Sequence, residues 1–315
     1  AVLVSGNTVY VAAGTYNETL TASTAGSAAN SQISWVGYSA TLLDAPLEAS
    51  RPLIDGQSAR TNCIVASGGN QQFRHLRVAN ATGSGITSGA NNKFVNVKSS
   101  GNGSHGLASS GTGVFPIQFC EFSDNSGTGI NVTSGGASSH LALGCRFSGN
   151  SSNGINSNGG TALFSLIYGN AATGVANAGT FLVNCTAHGN TGASSDGVAA
   201  VASGTGCYSN IATNNGRYGF NGTAGNVPQF DYNDYNGNAT GGRNNITAGI
   251  HDSTASPGYT DAAGGDFSIT TALMALGAPG TFPGGLSVGY LDVGAVQRRE
   301  FQGGRALVVQ GIGTY

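Results

Sequence analysis

The stretches CEFSDNSGTGIN (residues 120–131) and CRFSGNSSNGIN (residues 145–156) are one line written twice, 25 residues apart. Cys120 answers Cys145, Phe122 answers Phe147, Asn125 answers Asn150, and Gly129-Ile130 answers Gly154-Ile155. Working outward, the glycine followed by an apolar residue recurs at Gly85-Ile86, Gly106-Leu107, Gly174-Val175, Gly197-Val198 and Gly219-Phe220. A period of about 22 residues is the length of one solenoid turn made of short strands and tight corners. Four residues before most of these glycines stands an asparagine: Asn102, Asn125, Asn150, Asn170 and Asn215. Asparagine tolerates the left-handed backbone of a tight turn, and stacked asparagines can hydrogen-bond from coil to coil.

The same register sorts the remaining columns. Nine residues before the glycine come Leu76, Val97, Cys120 and Cys145, and seven before it come Val78, Ser99, Phe122, Phe147 and Ile167. These read as inward rungs, so strand alternation turns the position between them, Arg77, Lys98, Glu121, Arg146 and Leu166, to the outside. Cys185 and Cys207, 22 residues apart, are expected to stack on adjacent coils. Five cysteines without a CxxC pair suggest core-filling thiols, with no metal site and no disulfide scaffold. Helix is disfavoured because Gly, Asn, Ser and Thr fill every stretch, and a propeller blade needs about 40 residues. The expected fold is therefore all-β and parallel, with residues 1–228 as coils, 229–297 as irregular last coils and a C-terminal cap, and 298–315 as an apolar tail strand.

Two further segments carry a resemblance. Residues 6–20, GNTVYVAAGTYNETL, resemble the first coil of right-handed parallel β-helix proteins of the pectate-lyase-like group, and GGDF (264–267) with DVGAVQ (292–297) resembles the closing segment of its secreted and phage-encoded members. The resemblance implies a single-stranded right-handed parallel β-helix, a solenoid. It does not fix an activity, because the group spans lyases, glycoside hydrolases, tailspikes and silent structural proteins.

With a formal net charge of −2, the chain has no basic field for a nucleic-acid backbone, and no apolar run is long enough to span a membrane. The poverty of ionisable residues leans away from an enzyme. It points first to an extracellular or virion structural protein that self-associates as a trimer or filament, or docks on other virion or surface proteins, with weak glycan binding. Leu307, Val308, Val309, Ile312 and Tyr315 of the tail would form the joint by strand pairing. The alternative is a polysaccharide lyase or glycoside hydrolase on an acidic polysaccharide. A lyase needs a base beside the uronate and a cation to neutralise its carboxylate, and Arg77, Lys98 and Glu121 share one outward column. No cofactor is required, although Ca²⁺ is an option for a lyase. A hydrolase would need two carboxylates on a groove, for which Asp231 and Asp234 are the pair, with Tyr232 and Tyr235 interleaved to stack on sugar rings.

Overall fold

The computed structural model describes residues 3–27, 31–42, 44–133, 139–157, 159–176, 180–201, 206–223, 229–269 and 292–297. The assembly residues Leu307, Val308, Val309, Ile312 and Tyr315 lie outside them. The chain is an all-β right-handed parallel β-helix that divides into two compact units, residues 1–161 and 162–314. Among the described residues the one helical element is a 3-10 turn, Glu48–Ser50, and no helix is long and apolar enough to cross a membrane.

In the first unit every coil contributes one strand to each of three parallel sheets. Gln71–Arg74, Lys93–Val95 and Val114–Gln118 belong to the first sheet, Arg77–Ala79, Lys98–Ser100 and Glu121–Ser123 to the second, and Ile86–Ser88, Leu107–Ser109 and Ile130–Val132 to the third. The strands are short because corners recur within a few residues. The register is the one the glycine spacing implies: Lys98 pairs with Arg77 on one side and Glu121 on the other, and Glu121 pairs with Arg146. Inward residues therefore meet their own kind. Phe73 stacks on Phe94 at 5.4 Å and Phe122 on Phe147 at 5.6 Å, all fully buried. Such stacked pairs add about 0.5–1.5 kcal/mol beyond the area they bury.

The asparagines form a ladder inside the wall. Asn102 Nδ2 donates to Asn125 Oδ1 at 2.8 Å and Asn125 Nδ2 donates to Asn150 Oδ1 at 3.0 Å. The same oxygens accept the backbone N–H groups of Asn102 and Asn125 at 3.2 Å. They do not themselves take the left-handed turn. That conformation falls one residue earlier in the coil, at Gly101, Asp124 and Gly149, with φ of 65°, 57° and 64°.

The second unit repeats the plan. Leu166–Tyr168, Thr186–His188 and Ile211–Thr213 make its second sheet, and a ladder runs Asn170, Asn190, Asn215, Asn238 with side-chain bonds of 2.9–3.0 Å. Asn190 escapes the four-before-glycine spacing because its corner is longer; the buried Asp196 carboxylate organises that corner, accepting from Arg217 Nε at 2.9 Å and Nη2 at 2.6 Å.

Two expectations are corrected here. Leu166 shares the outward position of Arg77 and Lys98 yet is 1% exposed, because Phe267 and Ala295 cover it. The antiparallel pair Tyr259–Asp261 and Asp266–Ile269, with Gly294 and Ala295 bonded to Ser209 O and Thr186 Oγ1, clads the outside of this sheet. Cys185 and Cys207 also fail to share a column: Cys207 pairs with Leu182 in the first sheet, while Cys185 heads the second-sheet strand and its N–H donates to Asn210. All five cysteines are buried, and burial pushes the Cys185 thiol up to about 12.

Replacing Asn125 by alanine removes the acceptor of two buried N–H donors and the link between Asn102 and Asn150. At about 1–3 kcal/mol per orphaned group, Asn125→Ala should lower unfolding free energy by several kcal/mol in urea titration.

Candidate functional site

The outward position of the second sheet in residues 1–161 carries an unbroken run of charge. Arg77, Lys98, Glu121 and Arg146 stand on consecutive strands. The long corner between Tyr38 and Leu53 adds to them. It is held by Asp44, whose carboxylate accepts the N–H groups of Ser39, Ala40 and Thr41 and the Ser39 hydroxyl. Its 3-10 turn then delivers Glu48 and Arg51 to the column. Lys98 Nζ bridges Glu48 Oε1 at 2.6 Å and Glu121 Oε1 at 3.0 Å. Arg51 Nη2 donates to Asn96 Oδ1 at 2.7 Å, and Arg77 Nε donates to the Arg51 carbonyl at 3.3 Å. Asn96 Nδ2 in turn lies 2.9 Å from His75 Nδ1.

Burial works against the Lys98 ammonium, but the bonds to Glu48 and Glu121 outweigh it and hold its pKa above the ordinary lysine value. Burial, then the charges of Arg74 and Arg51, lowers the pKa of His75, which therefore stands neutral at pH 7. The Lys98 pairs are a quarter to a third exposed, where ion pairs add little to stability, so their effect is to fix the ammonium in place. The arrangement offers an anion the guanidinium of Arg77 beside a charged amine whose position is set from two sides.

Calcium does not fit this donor set. The two carboxylates that could ligate it converge on the Lys98 ammonium, and no trio of His, Cys, Asp and Glu gathers among the described residues.

The four residues of DYNDYN separate instead of lining one groove. Asp234 and Tyr235 turn inward, 0% and 8% exposed, so neither presents a face to a sugar. Asp231 and Tyr232 stay at the surface, engaged with His251: its Nδ1 is 2.8 Å from Asp231 Oδ2, and its ring stacks on Tyr232 at 4.3 Å and 11°. Asp234 lies in a parallel bridge between Ile211 and Ser253, and the run Asn233, Asp234 and Tyr235 is buried together. A separate open trough of about 360 Å³ on the third sheet, lined by Val65, Ala66 and Ala108 as well as Thr87, Ser109 and Asn131, bears no charge.

Glu48, Arg51 and Phe119 were not anticipated. Glu48 and Arg51 come from a corner outside the repeat, where spacing carries no information. Phe119 did have a signal: it stands ten residues before its glycine, in one column with His75, Asn96 and Gly144.

No protein-family model matches the chain, and no curated protein sequence does. Solved structures do. The fold superposes on pectate lyase Pel9A with a TM-score of 0.71 and 17% identity, over 94% of this chain and 89% of that one. The A-module of the Azotobacter vinelandii mannuronan C-5 epimerase AlgE6 gives a TM-score of 0.43 at 17% identity, over 79% and 90%. At that identity the first likeness is one of fold, and it places the chain among right-handed parallel β-helices of the pectate-lyase-like kind.

Asp234 supplies a test of the inward placement. Neither carboxylate oxygen meets a donor in hydrogen-bonding geometry, and burial raises its pKa to about 7. The folded state thus keeps a proton that the unfolded chain releases near pH 4, so this group costs stability as pH rises from about 4 to 7. Asp234→Asn should lose that dependence: its stability relative to wild type, followed by thermal unfolding from pH 4 to 8, should climb by a few kcal/mol and level off above 7.

Proposed function

We propose that this chain binds and acts on an acidic, uronate-containing polysaccharide at the column Arg77, Lys98, Glu121 and Arg146, with lyase chemistry as its reaction. The observation that carries the reading is that three of the chain's 12 basic residues stand at one register on consecutive or alternate strands, with Arg51 beside them. The fold likeness to a pectate lyase favours it over the virion role that composition put first, which rests on the tail segment 298–315. The substrate class also implies work outside the cytoplasm.

In this reading Arg77 binds the uronate carboxylate and withdraws charge from the adjacent C–H. Lys98, once deprotonated, takes that proton; the C4–O bond then breaks, a double bond forms between C4 and C5, and the leaving oxygen is protonated by water. Glu121 is a positioning residue that holds Lys98 in the column. The hydrolase version is disfavoured because Asp234 is buried and shares no groove with Asp231.

Ultraviolet absorbance of unsaturated ends from polygalacturonate and other uronate polymers measures the reaction directly. Lys98→Ala should abolish it, and Arg77→Ala should weaken polymer binding at least tenfold with a shallower salt dependence, both with wild-type unfolding curves. A wild-type chain that neither binds nor cleaves any uronate polymer would falsify the reading. Because the Lys98 pKa is raised, its neutral fraction grows only at alkaline pH, so the rate should still be climbing as pH passes 9.

A further inference from the structure

Beside the charged column, at the corner between the first and second sheets, stands a residue that the corner itself does not favour. His75, Asn96, Phe119 and Gly144 occupy equivalent positions there with φ of 55°, 55°, 53° and 60°. Asparagine and glycine enter this left-handed region readily, whereas a bulky aromatic residue does so at a cost. Phe119 nevertheless adopts it, and its side chain is not compensated by burial: the residue is 51% exposed. Its ring lies against the next member of the column. A Cβ added to Gly144 would sit 2.9 and 3.0 Å from Phe119 Cδ1 and Cε1, so the ring rests where only a glycine leaves room. A strained backbone that ends in a supported, half-exposed aromatic ring is the kind of local conflict that marks sites of use.

The neighbours say what the ring would meet. Phe119 precedes Glu121 by two residues, at the corner that opens the second-sheet strand, and Gly144 precedes Arg146 by the same step. A pyranose ring has an apolar face of axial C–H bonds, which packs on an aromatic ring, and a uronate ring adds a carboxylate at its edge. A neutral partner would use the ring but leave the cations idle, and a small anion would do the reverse.

We propose that Phe119, supported by Gly144, is a stacking platform for one sugar ring of the acidic polysaccharide, holding that ring while its carboxylate, or its neighbour's, meets the Arg77–Arg146 column. This assignment rests on the reading above, since it names a subsite of the same face. Its part is positioning: Phe119 has no group that could exchange a proton.

The test uses Phe119→Asn and Phe119→Tyr in the full chain, with binding to polygalacturonate followed by isothermal calorimetry and unfolding followed in urea. Asparagine suits the left-handed corner better than phenylalanine, so Phe119→Asn should fold at least as stably as wild type. Its affinity should nonetheless fall about five- to tenfold, and Phe119→Tyr should restore wild-type binding. The Phe119→Asn loss should persist at high salt, where the Arg77→Ala loss fades, because stacking is not screened. Unchanged affinity in Phe119→Asn, with Arg77→Ala still weakened, would overturn the platform and leave the polysaccharide reading standing. Absence of binding by the wild-type chain to every uronate polymer would remove both.

Discussion

A parallel coil that closes every 20–25 residues obliges each side chain to sit beside the same position of the coils before and after it, and the asparagine ladder is what makes that register hold. Asn125 uses its amide oxygen for the side chain and backbone N–H of Asn102 in the preceding coil, and its amide nitrogen for Asn150 in the next coil and the Ser99 carbonyl. A slip by one residue would orphan all of these donors inside a dry wall. The stacked phenylalanines and the charged column follow from the same constraint: they are aligned because the asparagines are.

Columns are harder on charge than on apolar residues. Like charges about one strand spacing apart repel, and Arg77 next to Lys98 is such a pair. The structure answers with two carboxylates on the lysine, one from the column and one from outside the repeat. In the second unit the equivalent position holds Leu166, and the C-terminal segment buries it under Phe267 and Ala295. One register thus produces an open, charged face in one unit and a clad, apolar face in the other, depending only on the residue that occupies it.

This is also why the fold could be read from the sequence and the site only in part. Glycine spacing, inward rungs and the asparagine column are properties of the repeat, and a repeat is visible in one dimension. Arg77, Lys98 and Glu121 were legible as a column for the same reason. Glu48 was not, because a non-repeating corner brings it 50 residues along the chain to Lys98. Asp234 and Tyr235 misled because DYNDYN looks like an exposed turn, whereas Asp234 bridges Ile211 and Ser253 and is buried together with Asn233 and Tyr235. The left-handed column through Phe119 was present in the spacing, masked by the more familiar asparagine four residues before each glycine.

The charged column has spacing as well as sign. Its divisions are set by the separation of hydrogen-bonded strands, about 4.8 Å, and side-chain flexibility blurs them little where Lys98 is pinned from two sides. Arg77 and Lys98 are one division apart and Lys98 and Arg146 two, with Glu121 as a negative mark between. A flexible charged surface would accept any polyanion of sufficient charge density. On the reading proposed above, a rigid graduated one would discriminate by commensurability, favouring a polymer whose carboxylates recur in step with the coils over an equally charged chain that falls out of phase.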